Sequence, residues 1–137
     1  MTESKATALI RDAMPLCATL DVRADKYTPE EVALSLHWAP GLCTTGGILH
    51  GGVIMALADS AGGACALLNL PHGASGTATI ESKTNFLGAV RSGMVSATAM
   101  PLHVGGTTIV VETSVRDAAA RLVAKVTQTQ MVLRPRS

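Results

Sequence analysis

GGVIMALADSAGGACALLNL, residues 51–70, is the stretch that any fold of this chain has to accommodate. Its apolar residues run round nearly every side of a helix, so a helix from about Gly51 to Leu68 has to be buried. The run is also about long enough to cross a bilayer. Asp59, Asn69, four glycines and the lack of charged flanks argue against a membrane span, and no second span follows. A helix enclosed by its own fold is the better reading, and something must enclose it.

The downstream sequence supplies the cover. TATIESKTNFL (77–87), MVSATAMPLHV (94–104), TIVVETSVR (108–116) and RLVAKVTQTQMVL (121–133) each alternate with the period of a half-buried strand. The connectors GAVRSG, GG and DAAA are short, which makes the strands antiparallel neighbours. Pro101 within a strand predicts a bulge or an edge position. Upstream, residues 4–14 read as a short helix with Ser4 as a possible cap. LCATLDVRAD, from Leu16, reads as a first strand and VALSLHW, 32–38, as a second. APGLCTTGGI (39–48) and NLPHGASG are loops. One apolar helix and one curved sheet that bury each other define an α+β class. The length fits one domain over residues 1–137, with 1–14 as an N-terminal helical extension.

Composition narrows the functions. The net charge of +1 without a basic run gives no support to nucleic-acid or membrane partners. Trp38, Tyr27 and Phe86 are the only aromatics, too few for a base-stacking platform. Cys17, Cys43 and Cys65 are odd in number and widely spaced, so a disulfide frame is not expected and a reducing cytoplasm is. His37, His50, His72 and His103 have no metal-ligand spacing, so no metal is expected. The N-terminal residues do not read as a signal peptide.

Two features of the apolar helix carry chemistry. Its first N–H groups lack intrahelical partners and lie at the positive end of the macrodipole, and Gly51 and Gly52 let a ligand oxygen approach them. That is an oxyanion site, or else only a tight turn into the helix. Asp59 is the second feature. A carboxylate in such a helix has to be paired, protonated or functional, or to face a solvent notch. No Lys or Arg of the helix can pair with it, and its neighbours Met55, Ala56, Gly62 and Gly63 are mostly small. Asp59 and Gly52 share a face but lie about 10 Å apart at ~1.5 Å per residue. One carbonyl cannot reach both, so joint action implies two antiparallel copies of the helix and a two-fold dimer with shared sites.

His50-Gly51-Gly52 followed by Leu57-Ala58-Asp59 resembles the signature of hotdog-fold acyl-CoA thioesterases, above all the phenylacetate-pathway and hydroxybenzoyl-CoA group. The resemblance covers most of the chain. It implies a curved antiparallel sheet wrapped around one long helix and hydrolysis of an aromatic or medium-chain acyl-CoA. It implies no cofactor, coenzyme A being part of the substrate, and an obligate homodimer that pairs into tetramers in many members. The acid matching Asp59 would attack the thioester carbonyl or activate a water. The N–H matching Gly51 would polarise that carbonyl, and His50 would hold the loop. Thr79, or Thr77 second, matches a hydroxyl that supports the water. Thr44 stands where an Asn or Gln is common. PLHVGGTT, 101–108, resembles a turn that meets the CoA pyrophosphate, which would draw on Gly105 and Gly106 with His103 or Arg91. Met55, Trp38 or Phe86 would line the acyl pocket. Three rival readings are a serine hydrolase using Ser60, a hotdog dehydratase or isomerase using His50, and a non-catalytic acyl-CoA-binding protein.

Overall fold

The computed structural model describes residues 1–136. Helix α1 (Glu3–Ala13) and a short α2 (Pro15–Thr19) precede strands β1 (Arg23–Tyr27) and β2 (Val32–His37). Single 3-10 turns at Pro40–Leu42 and Thr45–Gly47 lead into α3 (Gly51–Leu68). Four long strands follow, β3 (Gly76–Phe86), β4 (Met94–Val104), β5 (Thr108–Arg116) and β6 (Leu122–Leu133). They form one antiparallel sheet in the order β1-β2-β4-β5-β6-β3. α3 packs on β2, β3, β4, β5 and β6, so the sheet curls round it in the hotdog arrangement. Leu57, Ala58, Ala61 and Cys65 of α3 meet Leu34, Leu36, Val95, Ile109, Val111 and Val126 in the core.

Three expectations need correction. The first helix is capped by Thr2, whose Oγ1 accepts the Lys5 N–H at 3.2 Å, not by Ser4, which lies within the helix. The segment from Leu16 does not open as a strand. Pro15, with its φ already suited to a first helical turn, starts α2, and β1 begins only at Arg23. The central helix is not enclosed all round. Gly52, Met55, Asp59 and Leu67 form an open stripe along it.

Pro101 does mark a bulge. The β4–β5 register shifts between Pro101 and His103, and β2 pairs with β4 only as far as Ala99. The missing proline N–H therefore interrupts no ladder on that side. The other edge of the sheet is β3, paired only with β6 and exposed from Thr79 to Lys83. An eleven-residue free edge carrying exposed Ile80 and Phe86 is a template for pairing with another chain.

Candidate active site

The tip of α3 is set by His50. Its N–H donates to the Leu42 carbonyl at 2.9 Å, and the Leu49 N–H donates to Val90 O at 2.8 Å, which ties the loop to the β3–β4 connection. The His50 imidazole caps the helix: Nδ1 accepts the Gly52 N–H at 2.8 Å. The His50 carbonyl takes the N–H groups of Val53 (2.9 Å) and Ile54 (3.3 Å). The Gly51 N–H is thus left without a partner among the described residues, while that of Gly52 is occupied. A Cβ on Gly51 would come within 3.1 Å of the Phe86 ring, so the absent side chain lets Phe86 lie against the helix tip.

Asp59 sits two turns further on, in the open stripe. It is exposed in the single chain and accepts a hydrogen bond from Gln128 Nε2 at 2.8 Å. Beside it opens an apolar cleft of about 250 Å³. Gly63, Ala64 and Leu67 of α3 form its floor, and Thr77 and Thr79 of β3 one wall. Leu9, Ile10, Ala13, Met14 and Tyr27 form the other wall. Burial of the Tyr27 phenol raises its pKa. No Lys, Arg, His or second carboxylate lines this cleft among the described residues. Thr79 faces Gln130 across the β3–β6 pair, and Gln130 Nε2 donates to Thr79 Oγ1 at 2.6 Å. A bulge follows directly, between Thr79 and Glu81.

The structure thus brings Asp59, Thr77 and Thr79 together and places Gly51, His50 and Met55 on the same helix. The other candidates lie elsewhere. Thr44 is in the exposed loop before α3, where its N–H bonds to Ile48 O at 2.8 Å. Arg91 lies in a separate cleft with Ser92, Asp117 and Arg121, at the Gly51 end of the fold. His103, Gly105 and Gly106 are at the opposite end of β4, about 30 Å away at ~3.3 Å per residue. There the Gly105 N–H is spent on Thr108 O at 2.9 Å, and Arg134 bonds to the Gly106 carbonyl at 3.0 Å. Arg91 and this turn cannot hold one phosphate within a single chain. Ser60 is buried and its hydroxyl bonds to Ala56 O at 2.8 Å inside the helix, so it forms no nucleophile elbow.

Reading the sequence alone missed two parts of the site. One is the wall given by α1. The other is the pair Gln128 and Gln130, whose signal was parity: Ala124, Val126 and Val132 place the even positions of β6 on the helix side, and both glutamines share it.

Comparison with known proteins bears on the family and the fold. A family model described as the thioesterase superfamily matches residues 46–124, more than half the chain. SSO2140 of Saccharolobus solfataricus, described as a candidate esterase, is 33% identical over 115 residues, spanning 84% of this chain and 81% of its own. ComA2 of Bacillus subtilis, likewise a candidate esterase, is 39% identical over 77 residues, 56% of this chain and 61% of its own. Among solved structures, Rv1847 of Mycobacterium tuberculosis superposes with a TM-score of 0.86 at 27% identity, covering 90% of this chain and all of the other. The thioesterase HI1161 of Haemophilus influenzae, at 24% identity, shares the fold with a TM-score of 0.87 over 98% of this chain and 92% of its own.

Proposed function

This chain belongs to the thioesterase superfamily, and from that premise we propose that it hydrolyses the thioester of an aromatic or medium-chain acyl-CoA. The observation that carries the reading is the placement of two complementary groups. An acid at the mouth of an apolar cleft and an unpaired N–H at the helix tip lie on one helix, but eight residues apart. That separation is about 12 Å at ~1.5 Å per residue, too far for one carbonyl. Two copies arranged about a two-fold axis complete each other. The open stripe of α3 and the free edge of β3 give such a pairing its surfaces, and a dimer of dimers is the further expectation.

In the proposed reaction the carbonyl oxygen accepts from Gly51 N–H of one protomer. Asp59 of its partner takes a proton from water, whose oxygen attacks the carbonyl carbon. The tetrahedral oxyanion is held by the N–H and the positive helix end. Its collapse breaks the C–S bond, and the departing thiolate recovers the proton. Direct attack by the carboxylate, through an anhydride that water then opens, gives the same products. The acyl group occupies the cleft beside Thr77 and Thr79, whose volume suits a ring or a medium chain. Thr79 steadies the water. Arg91, at the Gly51 end, is the better placed cation for the CoA phosphates. His50 is engaged as the helix cap, which counts against the dehydratase reading. The three free cysteines agree with a reducing, cytoplasmic setting.

The test is thiol release from a panel of acyl-CoAs, aromatic and aliphatic. Asp59→Asn should keep the dimer and lose about 10²- to 10⁴-fold in turnover, the range for a lost general base. Met55→Glu, which puts a charge into the open stripe, should yield monomers with equally low turnover. Near-normal turnover of Asp59→Asn, or an active monomer, would end this reading.

A further inference from the structure

The inward row of β6 runs Ala124, Val126, Gln128, Gln130, Val132, and both glutamines are buried, at 0% and 1% exposure. Burying an amide is costly unless it is partnered. Each has one side-chain partner, and each partner lines the cleft of Asp59. Gln128 is held for one end only. Its Nε2 bonds to Asp59 Oδ1, while its Oε1 has no partner and rests where a Cβ on Gly62 would be. A buried carbonyl left unpaired is tolerated here because the other end of the amide meets a carboxylate, which only the N–H end can do.

We propose that Gln128 and Gln130 are positioning residues, two neighbouring amides of one strand that set the direction of the Asp59 carboxylate and of the Thr79 hydroxyl. This rests on the thioesterase reading above. The Gln128 N–H fixes Oδ1, which fixes the carboxylate plane and leaves Oδ2 to face a water in the cleft. The Gln130 N–H occupies a lone pair of Thr79 Oγ1, so the Thr79 proton turns away from Gln130 and is free to be donated into the cleft. The bulge between Thr79 and Glu81 changes the strand's direction immediately after this hydroxyl. Gly62 completes the device, because a side chain there would drive the Gln128 amide from Asp59.

The test uses Gln128→Met and Gln130→Met, which keep length and lose the donor, with thiol release from benzoyl-CoA and octanoyl-CoA as the probe. For Gln128→Met, kcat should fall about tenfold to a hundredfold with KM unchanged, the loss expected of a charge-assisted hydrogen bond or a misplacement of ~1 Å. Gln130→Met should fall in the same parameter by less. Gly62→Ala, which displaces the Gln128 amide and leaves the residue in place, should reproduce the Gln128→Met pattern. A second readout is independent of turnover: the NMR signal of the Gln128 side-chain amide should move in Asp59→Asn, and that of Gln130 in Thr79→Val. Folded Gln128→Met with unchanged kcat, an effect confined to KM, or amide signals indifferent to those partners would each overturn the proposal. Should Asp59→Asn keep full turnover, the thioesterase mechanism fails, and the amide signals still decide whether Gln128 holds the carboxylate.

Discussion

Gly62→Ala is the perturbation whose cost follows most directly from the packing between α3 and β6. In an open helix this change stabilises by about 0.5–1 kcal/mol, because alanine has less chain entropy to lose. Here the added methyl would run into the amide of Gln128, a side chain with 0% exposure that has to move to admit it. Forcing the amide aside adds an overpacking cost of about 1–3 kcal/mol. It also breaks the bond to Asp59, worth about 1 kcal/mol here because the carboxylate is exposed and water replaces the lost donor. The balance is a net loss of about 1–3 kcal/mol, or a Tm lower by about 4–10 °C for a chain of this size. In a Gln128→Ala background the obstacle is gone, and the same Gly62→Ala change should stabilise by about 0.5–1 kcal/mol. Urea unfolding of the four proteins at one protein concentration measures both signs and their coupling, expected at about 1.5–4 kcal/mol. A Gly62→Ala protein as stable as the parent, or effects that add independently, would show that the amide moves freely and refute the reasoning.

Two further predictions concern the turn between β5 and β6. Ala120 holds φ at 64°, a left-handed conformation that costs a residue with a side chain about 1–2 kcal/mol, so Ala120→Gly should raise the Tm by a few degrees in a thermal melt despite glycine's larger entropy loss. The Asp117 carboxylate accepts the Arg121 N–H at 2.9 Å and the Ala119 N–H at 3.0 Å, with the Arg121 guanidinium at 3.1 Å. These contacts, the Arg121 backbone bond foremost, hold its pKa below the ordinary carboxylate value. The stabilisation is therefore complete above the ordinary carboxylate range and is lost as pH falls through the lowered value. Asp117→Asn should melt lower than the parent at neutral pH, with the gap closing in acid, and a gap independent of pH would exclude the ionised form as its cause.

The long strands and the central helix could be read because their periodicity is strong and their connectors short. The α3 bounds and those of β4 and β5 follow from the apolar run and the alternation, and the Pro101 bulge from a missing N–H. The region around Leu16 misled because LCATLDV suits either state in isolation. Pro15 and the packing of α1 on β1 decide it, and the second of these is a long-range effect. The open stripe of α3 was concealed for a similar reason. Met55 and Leu67 are as apolar as buried residues, so composition cannot tell a face left uncovered from one enclosed by the sheet. His50, Gly51 and Asp59 were visible as local motifs, whereas Gln128 lies 69 positions from Asp59 and only the packing of α3 on β6 joins them.

The wall that α1 adds to the cleft has a consequence of its own. Leu9, Ala13 and Met14 lie outside residues 46–124, the stretch this chain shares with its superfamily, whereas Gly51, Asp59 and Thr79 lie inside it. Under the proposed function, a molecule seated in the cleft would thus meet α1 on one side and the reacting groups of α3 and β3 on the other. Substitutions at Leu9 or Ala13 would alter the shape of that wall while leaving the residues of α3 and β3 in place, so what fits and what reacts would be set by separate elements.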